Sequence, residues 1–195
     1  MLGLIADKHL TFAPQTKNLA NRARQRLGFL RRASKYLHGR GRATVYKAFV
    51  RPRLESGSLA WMGAAQTNLK RLDRVQEAAA LIIGAEADTL DSIEHRRRVG
   101  ALTYLYKLQS WDAPEKLRQM IPPKLERPPR GRTRASAREH DSWHENKFQP
   151  MPAGIGPDYI ARGFPFCIIK DWNRLPANFF TDGFDLLISN HSSAK

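Results

Sequence analysis

Between residues 21 and 42 the chain reads NRARQRLGFLRRASKYLHGRGR, with eight arginines and lysines and no acid. Arg22, Arg24, Arg26, Arg31, Arg32, Lys35, Arg40 and Arg42 make up the set, and Lys47 follows. Such groups do electrostatic chemistry. Guanidinium and ammonium groups donate to phosphate oxygens, and each phosphate they neutralise releases condensed counterions. A second cluster, Arg127, Arg130, Arg132 and Arg134, sits in RPPRGRTR. That stretch reads equally well as a segment wrapping nucleic acid, as a nuclear address, or as a solvated linker.

A helix is the element that would array the first set. Advancing by ~100° per residue, Leu19, Ala23, Leu27, Leu30 and Leu37 fall in an apolar stripe roughly 80° wide. Arg24, Arg31 and Lys35 fall within roughly 40° of one another on the far side, a ridge about 16 Å long. Arg32 lies beside them. Arg22 and Arg26 lie on the shoulder, where long stems cover apolar surface while the charged heads reach water. A merely solvated face usually mixes signs, because acids one turn away stabilise it. Here no acid occurs between Lys8 and Glu55. Holding so many like charges together costs self-repulsion that a polyanion relieves. The expectation is contact with nucleic acid, through phosphates at least as readily as through bases.

The formal net charge of the 195 residues is +15, and its distribution sharpens this reading. Residues 1–53 carry 13 basic residues and one acid, Asp7; residues 54–119 balance at nine each; residues 120–195 hold eleven against eight. Cys167 is the only cysteine, so no intramolecular disulfide can form. The longest apolar run, Ala78 to Ile83, is far too short to span a bilayer, and Asp7, Lys8 and His9 interrupt any secretory pattern at the start. A nuclear or cytoplasmic protein with no membrane partner is expected.

Along the chain, Leu2 to Ala6 reads as a short strand, and Pro14 suits the first turn of a helix. Gly39 and Gly41 predict a break. A second helix is expected from about Ala43 with Val45, Phe49 and Leu54 in step, kinked or ended by Pro52. Leu69, Leu72, Val75, Ala79 and Ile83 share a helical face with Gly84 just past its end. A further helix is expected from Asp91, with Asp91 and Glu94 at capping-box spacing and Val99, Leu102, Leu105, Tyr106 and Leu108 following. Pro114 opens one more turn. The four prolines of IPPKLERPPRGRTRASAR predict an extended linker, followed by an aromatic stretch, GFPFCIIKDWNRLPANFF.

Other constellations carry less. His140 and His144 have the spacing of a helical metal pair, but one cysteine and no second pair leave no metal site expected. Trp61 and Trp172 read as packing anchors with their N–H groups bonded. No two acids are adjacent, and neither a phosphate-binding glycine loop ending in Lys-Ser or Lys-Thr nor a Gly-x-Ser-x-Gly elbow occurs, so no catalytic residue is expected.

Seven motifs, LGLIADKHLTF, RARQRLGFLRR, VYKAFVRPRLESGSLAW, LKRLDRVQEAAALII, SIEHRRRVGALTYLYKL, RTRAS and DWNRLPANFF, occur in the order found in jockey-like non-LTR retrotransposon reverse transcriptases. Nearly the whole chain resembles the region after the polymerase palm of that family. Each motif is loose, and the seven in order are specific. The resemblance implies a mainly α fold: a helical thumb-like bundle over residues 1–120 with a strand remnant at its start, a Pro/Arg-rich linker over 121–142, and an aromatic C-terminal docking tail over 143–195. It implies binding of template–primer RNA or RNA–DNA by the backbone, with a reverse-transcriptase palm as partner in the intact parent. The palm's paired aspartates lie upstream of the matching region, so neither polymerase activity nor the parent's Mg²⁺ is expected, and no cofactor. The tail departs from the family: FPFCIIKDW stands where a more basic run is usual, and DLLISNHSSAK lacks the basic helical finish. A truncated or degraded element copy is expected; a host RNA-binding or assembly module and a remnant without function remain alternatives.

Overall fold

The computed structural model describes residues 3–110, 113–127, 143–150 and 162–180. They are mainly helical. The chain divides into two compact units, residues 1–105 with 156–167 and residues 106–155 with 168–195. The division passes through a helix, whereas composition marks a change only at residue 121.

In the first unit, helix α1 runs from Ala13 to Ala33 with Pro14 in its opening turn. The loop before it is closed by Asp7, whose carboxylate accepts from the Thr11 amide at 3.0 Å, the Thr11 hydroxyl at 2.8 Å and the Phe12 amide at 2.8 Å. The strand expected over Leu2 to Ala6 is not found from Gly3 onward. Leu4 packs against the core instead, and the Ile5 amide donates to Gln15 Oε1 at 3.0 Å, so a side chain of α1 takes the bond a neighbouring strand would have supplied.

α1 buries Leu19, Ala20, Ala23, Leu27 and Leu30 together with Gln15 and Thr16. It stops four residues short of Leu37. Ser34–Tyr36 form a 3₁₀ turn, and Leu37 is extended at φ −121°, ψ 138°. The Arg42 guanidinium fixes this exit. Its Nε donates to the carbonyls of Ser34 (3.2 Å) and Leu37 (2.9 Å), and its Nη1 donates to the carbonyl of Ile82 (3.2 Å). Gly39 and Gly41 therefore lie inside helix α2, Gly39–Val45, and not at the break.

The segment after α2 departs from simple helical periodicity. Tyr46–Val50 form a π-helical turn leading into α3, Arg51–Glu55. Pro52 sits in the first turn of α3, directly after the π-turn, and the helix runs through it to Glu55. A proline needs its neighbouring carbonyl moved aside, and a widened turn does that. Tyr46, Val50 and Leu54 recur every four residues and are buried, while Phe49, expected inside, is 39% exposed. A short helix, α4 (Ser58–Trp61), carries the fully buried Trp61, whose Nε1 donates to the Ser56 carbonyl at 2.9 Å.

Helix α5, Gln66–Ile83, packs along α1 and buries Leu69, Leu72, Val75, Ala79 and Ile83 as its spacing requires. Gly84 ends it at φ 82°, where a side chain would be strained. Helix α6 spans Ile93–Ser110. Its cap is Ser92, whose hydroxyl accepts from the His95 amide at 3.1 Å, and not Asp91. The Asp91 carbonyl instead accepts from Gln76 Nε2 at 3.0 Å. The buried stripe of α6 is Ile93, Arg97, Ala101, Leu105 and Leu108, leaving Val99 45% exposed. Arg97 enters the core by laying its guanidinium 5.7 Å from the Trp61 ring. Burial pulls its pKa down, and the charge of Asp73 opposes that.

The second unit holds α7 (Glu115–Arg118), opened by Pro114, and α8 (Ile169–Asn173). The start of the expected linker is extended but paired. Lys124 bridges Phe148, the Leu125 amide donates to the Lys147 carbonyl at 2.8 Å, and the Gln149 amide donates to the Pro123 carbonyl at 2.9 Å. Asn173 clamps the other side of Phe148, accepting from its amide at 2.9 Å and donating to its carbonyl at 2.8 Å. Trp172 is buried, and its Nε1 donates to the Asn146 carbonyl at 2.7 Å.

Candidate nucleic-acid interface

The expected cations separate into three groups. Arg22, Arg24, Arg31, Arg32, Lys35, Arg40 and Lys47 are exposed, and none lies within ion-pair distance of a carboxylate among the described residues. Arg24 donates only to the neutral Asn21 amide, at 3.3 Å. Arg26 is half-buried: it donates to the Phe49 carbonyl at 2.8 Å and covers the Phe49 ring at 4.3 Å, pinning α1 to the π-turn. Arg42 is committed to the three carbonyls that shape the end of α1. That is a structural role its place in the basic run did not suggest. Arg130, Arg132 and Arg134 lie outside the described residues, as do His140 and the rest of RPPRGRTR after Arg127.

The ridge itself differs from the expected one. Lys35 belongs to the 3₁₀ turn beyond α1, so only Arg24 and Arg31 of the trio are on the helix. Lys17, exposed on α1, takes the third place at the other end. Lys17, Arg24 and Arg31 stand seven residues apart, and a seven-residue step drifts only ~20° around a helix. They make a row roughly 21 Å long on the flank of the buried face. The step of about 10.5 Å matches roughly three phosphates along one strand at 3.4 Å each. The 17-24-31 spacing is plain in the sequence, since Pro14 already placed the helix start before Lys17. Arg53 is a further exposed cation that spacing did not single out.

The remaining charges in this unit are arranged differently. Arg96 forks onto both carboxylate oxygens of Glu55 and approaches Asp91 at 3.8 Å. The Glu55 hydrogen bond, against a smaller burial effect, raises its already high pKa. A hollow of about 350 Å³ beside this pair is lined by residues of both signs, including Asp91, His95 and Arg97. Such a mixed lining lacks the single-signed field of α1. Tyr46, on the underside of the same region, donates to Gln76 Oε1 at 3.2 Å, and burial pushes its phenol up to about 12 against the pull of Arg51.

Among the described residues no group of three His, Cys, Asp or Glu side chains is placed to hold a metal ion. His144 is buried in the second unit against Phe180 at 4.5 Å, and burial, reinforced by the charge of Lys147, holds its imidazole below the usual value. No helix among those residues is long and apolar enough to cross a membrane. No protein-family model, curated protein or solved structure matches the chain.

Proposed function

We propose that the chain binds nucleic acid through the cationic surface of α1 and the turns that follow it, gripping the sugar–phosphate backbone. One observation carries this reading. A row of exposed cations, Lys17, Arg24 and Arg31, runs along one helix flank, with Arg22, Arg32, Lys35, Arg40 and Lys47 exposed elsewhere on α1 and the segments after it, and no described carboxylate neutralises any of them. Electrostatic contact of this kind is independent of base sequence.

The resemblance in motif order supports a derivation from the thumb and tail of a non-LTR retrotransposon reverse transcriptase. In that reading the helices hold an RNA or RNA–DNA template–primer while a separate palm performs synthesis, and these 195 residues do not polymerise. The place of action is the nucleus or cytoplasm, where such duplexes occur. The test is a salt titration of binding to a labelled RNA–DNA duplex, paired with primer extension in Mg²⁺. Affinity should fall steeply and log-linearly with salt, and no extension product should form. Salt-independent binding would remove the backbone contact, and a template-dependent product would overturn the non-catalytic assignment.

A further inference from the structure

Helix α1 and the π-turn leave an aromatic pair on the surface, beside Arg22, Arg26 and Arg32 of α1. Phe29 is 49% exposed and Phe49 39% exposed, with ring centroids 5.5 Å apart and planes inclined at 59°. An exposed apolar pair rimmed by polar residues is a candidate contact surface. Arg26 covers part of Phe49 and holds its backbone carbonyl, so the pair is fixed in place. On α1 the positions three before and three after Phe29 are Arg26 and Arg32, and Arg22 is seven before, all neighbours along that face.

We propose that Phe29 and Phe49 form a stacking platform for the bases of an unpaired strand, whose flanking phosphates meet Arg22 and Arg32. This rests on the nucleic-acid reading above and adds the form of ligand. An aromatic face offers little to duplex, whose bases already stack on one another, and much to unstacked bases. The surrounding charge is of one sign, which complements a polyphosphate chain. A protein surface covering two rings would be expected to meet a rim of both signs. On α1 the Lys17–Arg24–Arg31 row lies roughly 140° around the helix from Phe29, so the pair would meet an unpaired segment apart from the stretch the row follows.

The test uses the full chain and three labelled probes of equal length: an oligouridylate, an abasic ribose-phosphate strand and a blunt RNA–DNA duplex. Phe29→Ala with Phe49→Ala, and separately Phe29→Leu with Phe49→Leu, are compared with the native protein by fluorescence anisotropy. The leucine pair keeps apolar bulk without a ring, and the Arg26 bond to the backbone carbonyl survives both changes. Loss of stacking should weaken oligouridylate binding roughly 5- to 100-fold for each base held, leaving the abasic strand, the duplex and the salt slope unchanged. Equal affinity of the leucine variant and the native protein for oligouridylate would overturn the platform. So would an equal loss on all three probes, or a change confined to self-association in ultracentrifugation, which would assign the rings to a protein contact. Failure of the native protein to bind any probe in a salt-dependent way would sink the nucleic-acid reading itself, a result distinct from the other three.

Discussion

Arg42 offers a direct test of how the basic residues divide between folding and binding. The structure gives its guanidinium three carbonyl acceptors, those of Ser34, Leu37 and Ile82, at 2.9 to 3.2 Å. Arg42→Met keeps most of the stem and removes all three bonds. A hydrogen bond from a charged donor contributes ~1.5–3 kcal/mol when buried, and a half-exposed one toward ~1 kcal/mol, so the three together are worth ~3 kcal/mol. In a unit of this size each kcal/mol moves the melting temperature by ~4–8 °C, giving a drop of ~12–24 °C by circular dichroism. Arg40→Met, two residues away on an exposed side chain, removes the same charge and should change stability by less than ~0.5 kcal/mol. A melting temperature for Arg42→Met within ~2 °C of that of Arg40→Met would refute the assignment of Arg42 to the fold.

Gly63→Ala should destabilise the protein by ~1–3 kcal/mol in urea titration. A Cβ there would stand 2.3 Å from the Arg162 carbonyl oxygen, which is backbone and cannot swing away. Asp7 is held below the ordinary carboxylate value of 3.8, because hydrogen bonds from Thr11 and Phe12 outweigh a burial effect of opposite sign. Its contribution is therefore fully present above that value and lost as pH falls through the depressed folded value. Asp7→Asn should flatten the acid side of the melting-temperature profile. Tyr46 has the opposite sign: with a folded pKa of about 12 against 10.0, its contribution is intact below pH 10.0 and lost as pH rises through the folded value. Absorbance near 295 nm should show one tyrosine resisting ionisation at pH 11, and Tyr46→Phe should abolish that lag.

Helix existence was legible because apolar spacing on α1 and α5 is regular and burial follows it. Leu19, Ala23, Leu27 and Leu30, and Leu69 through Ile83, are buried as their periods require. Three features escaped for specific reasons. The expected set Val45, Phe49 and Leu54 steps by four and then five residues, whereas the buried set Tyr46, Val50 and Leu54 keeps a step of four, which leaves Phe49 outward. The end of α1 is set by Arg42 and Ile82, the latter 40 residues further along the chain, so no local pattern marks it. Arg97 occupies a core position because Trp61 offers its guanidinium an aromatic face, a pairing invisible to a rule that reads every arginine as surface. The cationic surface itself was readable from composition, since an acid-free run of that length leaves few internal partners for its charges. What composition did not separate was Arg26 and Arg42, which serve the fold, from Lys17, Arg24 and Arg31, which face solvent.

The most direct measurement is the salt dependence of duplex binding by the Lys17→Gln, Arg24→Gln, Arg31→Gln variant beside the native protein. Each lost phosphate contact should lower the log–log slope by ~0.9 on a B-form duplex, so a fall of ~2–3 is expected, with the melting temperature unchanged because none of the three side chains supports the core. An unchanged slope and affinity in a folded variant would contradict the claim that this helix flank grips the phosphate backbone.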